Sequence, residues 1–376
     1  MSGGAHPGAA RTARLQGLLQ TQGLDALVID SPFDLRYLTG FTGSNGLLLV
    51  RAPGAGAGAG AGGGVTFFTD FRYLTQAGEQ IPPSFEREIA PGDLLDAAAA
   101  ALGDVGGTLG FDARSLTVAR HQRLAEQLSE SWQPVAGPGL VERLRLVKEP
   151  AEVDRIRAAA ELADAALAQV LQAGLRGRTE RDVAIDLELR MRRLGAQAPS
   201  FTSIVASGSN GALPHASPTA REIAPDVLVT IDWGAELDGY CSDCTRTYAT
   251  GEGISERARE IYALVLDAQE RGLQAVAAGS SGRAIDAVAR AVIEAAGEGE
   301  HFGHGLGHGV GLEVHEGPRL SRTADDEPLP VGCIVTVEPG IYLPGELGVR
   351  IEDLVAVGDG TREVLTRLPK ELTVIS

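Results

Sequence analysis

The stretch VLVTIDWGAELDGYCSDCTRTYAT, residues 227–250, reads as a β-hairpin in which two β-rich arms flank a turn at residues 236–239. Asp232 and Asp243 are symmetric about the Leu237/Asp238 step. In that register they face each other on one side of the ladder, with Cβ atoms roughly 5 Å apart, and their charges repel. A second stretch, TVEPGIYLPGELGVRIEDLV, residues 336–355, turns at Pro344-Gly345-Glu346 and sets Glu338 opposite Glu352. Either pair alone fits a solvated strand face. Together they sit among runs that look core-bound (VLVTI, IVTV), where four carboxylates are costly unless protonated or neutralised by cations. Two divalent cations would balance the four negative charges.

Between the hairpins lies HFGHGLGHGVGLEVHEGPR, residues 301–319, with four of the chain's seven histidines. One imidazole from this tract completes a site dominated by carboxylate oxygen, a donor set that suits Mn²⁺ and also admits Zn²⁺ or Co²⁺. Gly305, Gly307, Gly309 and Gly311 interleave with the histidines, which predicts a backbone that comes close to a ligand. Upstream, ASGSNGALPHASPT puts His215 in a loop rich in Gly, Asn and Pro.

Outward from these motifs the order of elements repeats. Helical segments over about 151–175 and 179–194 precede FTSIVAS and the first hairpin, and helical segments over about 254–278 and 281–297 precede the His/Gly tract and the second hairpin. The repeat predicts two structurally similar halves. Pro150, followed by acidic residues and a 3.6-residue period, marks a helix start, and the domain boundary falls near residue 147. Before it, short apolar runs (DALVI, GLLLV, VTFFT, GTLGF) alternate with helical stretches such as Gly92–Leu102, an α/β pattern. GAGAGAGAGGG, residues 54–64, has nothing to bury and reads as a flexible hairpin loop. A phosphate-binding loop would lead into a helix, and here a strand follows.

The 376 residues suit two domains, and 44% hydrophobic with 22% charged residues suits a folded globular chain. A net charge of −17 without a basic run argues against nucleic acid as a partner. No uninterrupted apolar run long enough for a membrane span occurs, and the opening MSGGAHPGAARTARLQ lacks the apolar core of a signal peptide, so a cytoplasmic location is expected. Three cysteines are too few for a disulfide framework. Cys241 and Cys244 spell CxxC, yet no second CxxC exists and the pair brackets Asp243 within a strand, so neither a zinc knuckle nor a redox pair is expected; Cys333 reads as core.

LPHAS at His215, IDWG at Asp232, CSDCTRT at Asp243, HGLGHGVGLEVHE from His304 to His315, VEPGIY at Glu338 and VRIED at Glu352 together resemble the M24 metallopeptidases, the pita-bread group of aminopeptidase P, prolidase and methionine aminopeptidase. SPFDLRYLTGFTGSNGLLLV and TDFRYLTQA resemble the creatinase/prolidase N-terminal domain, so the likeness spans nearly the whole chain. It implies an α/β (α+β) architecture: a creatinase/prolidase-type domain over 1–147, then a pita-bread catalytic domain over 148–376 with pseudo-two-fold halves. It also implies metal ligation by Asp232, Asp243, His308, Glu338 and Glu352, with Asp243 and Glu352 bridging two metals, Asp232 on one, and His308 with Glu338 on the other. A water shared by such cations loses its proton near neutral pH, and Glu338 is the implied general base. His215, His304 and His315 are implied in substrate contact and in stabilising the tetrahedral intermediate, with Arg350 and Tyr342 bracing them. A homodimer or homotetramer acting on peptides with proline second is the implied assembly and substrate.

The expected activity is that of an Xaa-Pro aminopeptidase. Proline makes the scissile bond a tertiary amide with no N–H, which general peptidases handle poorly. The rival is prolidase, which takes Xaa-Pro dipeptides and needs a cation for the substrate carboxylate; Arg319 in HEGPRL is the candidate, or else a solvated surface arginine. A metal-free relative, creatine-hydrolysing or merely binding, would have lost ligands, and all five ligand positions are filled here.

Overall fold

The computed structural model describes residues 7–54 and 64–376, so most of the predicted Gly/Ala hairpin loop lies outside the described residues. The chain divides into two compact units, Met1–Arg145 and Leu146–Ser376.

The first unit runs α1 (Pro7–Thr21), β1 (Ala26–Ile29), α2 (Pro32–Thr39), β2 (Gly46–Arg51), β3 (Val65–Thr69), α3 (Leu74–Gln80), β4 (Glu86–Ile89), α4 (Leu94–Leu102), β5 (Gly107–Phe111), α5 (Val118–Gln127), β6 (Trp132–Ala136) and α6 (Leu140–Arg145). Its strands form one sheet in the order β4-β3-β2-β1-β5-β6. The β1-β2-β3 pairings are antiparallel, and the outer pairings are parallel. Four of the strands are the apolar runs visible in the sequence. β4, EREI, is exposed along its whole length and carries no hydrophobic pattern, which is why it escapes a reading by periodicity.

The second unit continues with α7 (Pro150–Gln172), α8 (Glu180–Leu194), β7 (Ala198–Pro199), β8 (Ile204–Ser207), β9 (Leu228–Trp233), β10 (Ala235–Leu237), β11 (Tyr240–Cys241) and β12 (Cys244–Ala249). It then repeats the order with α9 (Glu256–Ala275), α10 (Gly282–Ala295), β13 (Gly307–Gly309), β14 (Glu316–Leu320), β15 (Ile334–Val337), β16 (Gly340–Leu343), β17 (Leu347–Arg350), β18 (Asp353–Val357) and β19 (Arg362–Val364). Each helix pair covers its own strands. Leu167, Val170, Val183 and Leu187 pack on Val229, Ile231 and Trp233 in one core, while Ile261, Val265, Ile285 and Ala289 pack on Val335, Val337 and Val355 in the other. Cap residues set the helix starts: Pro150 occupies the first turn of α7, and Thr179, Ser255 and Ser281 cap α8, α9 and α10 through their hydroxyls. Among the described residues no helix is long and apolar enough to cross a membrane.

The hairpin registers settle where the acids face. In the second hairpin Val337 pairs with Asp353 and Gly340 with Arg350, so Glu338 and Glu352 fall opposite each other as predicted. The turn has Pro344 at its second position and Gly345 at its third with φ +79°, the pattern of a type II turn. In the first hairpin the register is offset by two residues. Asp238 and Gly239 both have positive φ, a type I′ turn, and Leu237 pairs with Tyr240. The residue opposite Asp232 is therefore Thr245, and Asp243 lies diagonal to Asp232. A shift of two preserves the face, so both acids still project to the same side.

Two glycines of the histidine tract are required by strand packing. A Cβ on Gly307 would overlap the Thr336 carbonyl oxygen of β15, and one on Gly309 would overlap the Gly317 carbonyl oxygen of β14. They let strand backbones close on each other, which fixes His308 between them. Gly307→Ala should cost about 2–3 kcal/mol in urea denaturation, whereas Gly303→Ala, with open space around it, should stay within about 0.5 kcal/mol; equal effects would discount the close approach.

Candidate metal centre

The acids sit where the ladders break. Asp243 lies between β11 and β12, Glu338 between β15 and β16, and Glu352 between β17 and β18. Pro339 explains one break, because it has no N–H to give to the ladder. At the break Glu338 N–H donates instead to the Leu306 carbonyl at 2.8 Å, and Glu352 N–H donates to the Thr245 carbonyl at 3.0 Å. The second bond ties one half of the unit to the other at the site itself.

One carboxylate oxygen from each of Asp232, Asp243 and Glu352 comes within 4.8 Å of the others. His308 Nε2 lies 3.3 Å from Glu338 Oε1 and 3.6 Å from Asp243 Oδ2. Its Nδ1 is 3.1 Å from the Gly309 carbonyl, which accepts the Nδ1 proton and turns Nε2 toward the acids. Thr336 Oγ1 accepts from His308 N–H and donates to Glu338 Oε1, each at 3.1 Å. All five predicted ligand side chains thus converge.

Positive charge from the protein is scarce here. Arg350 Nη2 donates to Asp232 Oδ2 at 2.6 Å, while its Nε donates to Thr245 Oγ1 at 3.0 Å and that hydroxyl donates to Glu352 Oε2 at 2.8 Å. The remaining oxygens, Asp232 Oδ1 and Glu352 Oε1, are buried with no hydrogen-bond partner. Burial raises the Asp243, Glu352 and Asp232 carboxyls above the ordinary range. Mutual repulsion adds to it, from Glu352 and Asp232 on Asp243, from Glu338 and Asp232 on Glu352, and from Glu338 on Asp232, where Arg350 opposes. Burial would raise Glu338 too, but the His308 hydrogen bond and charge hold it below the usual value. Burial lowers His308, and its contact with Glu338 more than offsets this. Orphaned buried carboxylate oxygens, an imidazole nitrogen set among the acids and unanswered negative charge are what divalent cations would satisfy. The N-terminal unit has a contrasting cluster of Asp34, Asp112 and Glu142, but there Arg145 and Arg114 already face the acids.

The other predicted residues separate. Arg350 is central, and through Nη1 it also donates to Tyr342 Oη at 2.8 Å. His304 lies behind Tyr342: Nδ1 meets the Gly305 carbonyl at 2.7 Å and Nε2 meets Tyr342 Oη at 3.0 Å. Both nitrogens are engaged, which links His304 to the site through Tyr342 and Arg350. His315 is exposed and packs on His308 with ring centroids 4.3 Å apart. Burial and then the His308 charge lower its pKa, with His215 also close enough to act on it. His215 is exposed on its loop. Cys241, Cys244 and Cys333 are free and buried, Cys333 in the core as its sequence suggested.

Sequence reasoning missed Thr245, Thr336 and Arg246. Each threonine is fully buried and stands two residues from an acid, hence on the same strand face; a polar residue in an otherwise aliphatic strand was the available signal. Arg246, 1% exposed, donates through Nη1 to the Glu352 carbonyl and through Nη2 to Asp353 at 2.9 Å.

Comparison with known proteins agrees with this geometry. Residues 154–359 match metallopeptidase family M24, and residues 11–147 match the creatinase/prolidase N-terminal domain. The chain belongs to family M24. The uncharacterized peptidase YqhT of Bacillus subtilis is 40% identical over 366 residues, covering 96% of this chain and 99% of the relative. A solved Xaa-Pro dipeptidase from Bacillus anthracis is 40% identical, with TM-score 0.90 over 98% of this chain and 99% of that one. An X-Pro aminopeptidase from Thermotoga maritima is 35% identical, with TM-score 0.85 over 97% and 100%. As an M24 member the chain is a hydrolase of the Xaa-Pro peptidase group, built from a creatinase-type N-terminal domain and a pita-bread catalytic domain, and the family uses divalent metal ions.

The raised acids give a sign to pH dependence. Without cations the folded protein holds more protons on Asp232, Asp243 and Glu352 than the unfolded chain does above about pH 4, so these groups lose their stabilising contribution as pH rises through their raised values. The gain in Tm on adding Mn²⁺ to chelator-treated protein should therefore grow between pH 5 and pH 8, measured by calorimetry; a gain independent of pH would contradict the reading of buried, unanswered acids.

Proposed function

We propose that this M24 enzyme is a dinuclear Xaa-Pro dipeptidase. The observation that carries the reading is the pairing of His308 with Arg319 across β13 and β14. Residues paired across an antiparallel ladder leave the same face, so the exposed Arg319 guanidinium shares the side of a proposed metal ligand. A dipeptide's carboxylate is one residue from the scissile bond and would pair with such a cation, whereas a longer peptide presents an uncharged amide there. The Bacillus anthracis dipeptidase, with higher identity and TM-score than the Thermotoga maritima aminopeptidase, supports the same choice. The preference drawn from the sequence for an aminopeptidase is given up on these grounds.

In this reading Asp232, Asp243, His308, Glu338 and Glu352 hold two divalent cations, with Mn²⁺ favoured by the one-nitrogen, carboxylate-rich donor set. Bound cations supply charge that lowers the pKa of a water and polarises the scissile carbonyl. Glu338, held ionised, takes the water's proton and returns it to the proline nitrogen, which has no hydrogen of its own and must gain one to leave. His215 and His315 face the oxygen on which negative charge develops. Arg350 orients Asp232 and, through Thr245, Glu352.

With Mn²⁺ present, kcat/KM for Leu-Pro should exceed that for Leu-Pro-Gly at least tenfold; preference for the tripeptide restores the aminopeptidase reading. Arg319→Ala should raise KM for Leu-Pro roughly 10- to 100-fold, the effect of losing a charge-assisted hydrogen bond of about 1.5–3 kcal/mol. Glu338→Gln at saturating Mn²⁺ should lower kcat about 10²- to 10⁴-fold. A variant with near-normal kcat removes Glu338 from the role of base.

A further inference from the structure

Glu180 is a fully buried carboxylate, 0% exposed, at the start of α8. Every hydrogen bond it accepts comes from a neutral group. Oε1 accepts from Ser207 N–H at 2.7 Å and Ser207 Oγ at 2.8 Å. Oε2 accepts from Asn210 Nδ2 at 2.9 Å, Thr219 N–H at 3.0 Å and Thr219 Oγ1 at 2.6 Å. Burial opposes its ionisation, and these donors outweigh burial, holding the carboxyl below its ordinary value. An ionised side chain kept inside a protein without a cation needs such a cage, and the cage is rigid because every member is satisfied.

The donors sit at the two ends of one loop. Ser207 ends β8, Asn210 lies in the 3₁₀ turn Gly208–Ala212, and Thr219 follows His215. Backbone bonds reinforce the closure, from Glu180 N–H to the Arg221 carbonyl and from Arg181 N–H to the Thr219 carbonyl, each at 3.0 Å. The loop's tip is held from the other side. Arg350 Nη1 donates to the Pro214 carbonyl at 3.0 Å, and Gly211 packs so closely on Gly348 that a Cβ on Gly348 would overlap the Gly211 carbonyl oxygen. The residue carrying the loop's imidazole is thus fixed between the Glu180 cage and the guanidinium that grips Asp232.

We propose that Glu180 is the positioning residue of the His215 loop: its carboxylate closes both ends of residues 207–219 and thereby sets where His215 stands relative to the metal face. The chemistry of one buried acid at a helix start is converted into the placement of a histidine it never touches. The catalytic half of this inference rests on the dipeptidase reading; the structural half does not.

The test uses the whole, Mn²⁺-loaded protein. Glu180→Gln keeps the shape but turns an amide N–H₂ toward the donors of Asn210 and Thr219. Amide hydrogen exchange over residues 208–219 should accelerate at least tenfold, with exchange in α9 and α10 and the bound-metal stoichiometry unchanged. For Leu-Pro, kcat should fall by the same factor as in His215→Ala, within threefold, and Glu180→Gln/His215→Ala should lose nothing further. If Glu180→Gln does not fold, Asn210→Ala, which removes one donor, should give the same local acceleration at smaller amplitude. Unchanged loop exchange overturns the proposal, as do losses that multiply in the double variant. Should the wild type hydrolyse no Xaa-Pro peptide, the dipeptidase reading fails while the exchange measurement alone decides whether Glu180 anchors the loop.

Discussion

Like charges brought together out of water are the constraint around which the catalytic unit is arranged. Asp232, Asp243, Glu338 and Glu352 approach one another, with Arg350 and His308 in contact with them to offset the repulsion. Such a cluster survives folding only if something else holds the strands in place. Two separate apolar cores provide this, one beneath each hairpin. The helix pairs α7/α8 and α9/α10 bury the aliphatic faces of the strands whose opposite faces carry the acids. The bond from Glu352 N–H to the Thr245 carbonyl joins the halves where the repulsion is greatest.

Arg350 explains how few protein groups suffice to order the acids. Its fork contacts Asp232, Thr245, Tyr342 and the Pro214 carbonyl at once, in four directions. A lysine has one nitrogen and could not reach all four. Because the Nη2 bond takes only one oxygen of Asp232, the other remains free, and because Thr245 takes only one oxygen of Glu352, the same is true there. Satisfaction of one lone pair and denial of the other is how the protein orients a carboxylate toward a ligand without neutralising it.

The sequence made most of this legible because strand alternation and turn chemistry are local. Pro344-Gly345 centred the second hairpin correctly, and the aliphatic runs located most strands. The first hairpin failed by two residues because symmetry between acids was allowed to outrank the Asp238-Gly239 turn signal, which sits in the type I′ position. That offset has a use. It opens the position opposite Asp232 for Thr245, whose hydroxyl passes from Arg350 to Glu352. The His304–Tyr342 contact was not legible for another reason: no spacing rule tells which partner a histidine meets, since that depends on Tyr342 arriving from a distant strand. Arg246 and the Glu180 cage were invisible for the same cause, with partners far along the chain.

The division of chemistry between the halves follows from side-chain length and position. The first half contributes aspartates from a hairpin whose ladder is offset, so Asp232 and Asp243 meet diagonally. The second contributes glutamates at directly opposed positions, where longer side chains can splay apart or converge as a ligand demands. Glu338 is oriented from outside by Thr336 and His308, both on the same oxygen. These fixed partners stabilise its ionised form while its geometry is held. Among the four carboxylates the His308 hydrogen bond and charge hold Glu338 below its ordinary value, while burial and mutual repulsion raise the other three.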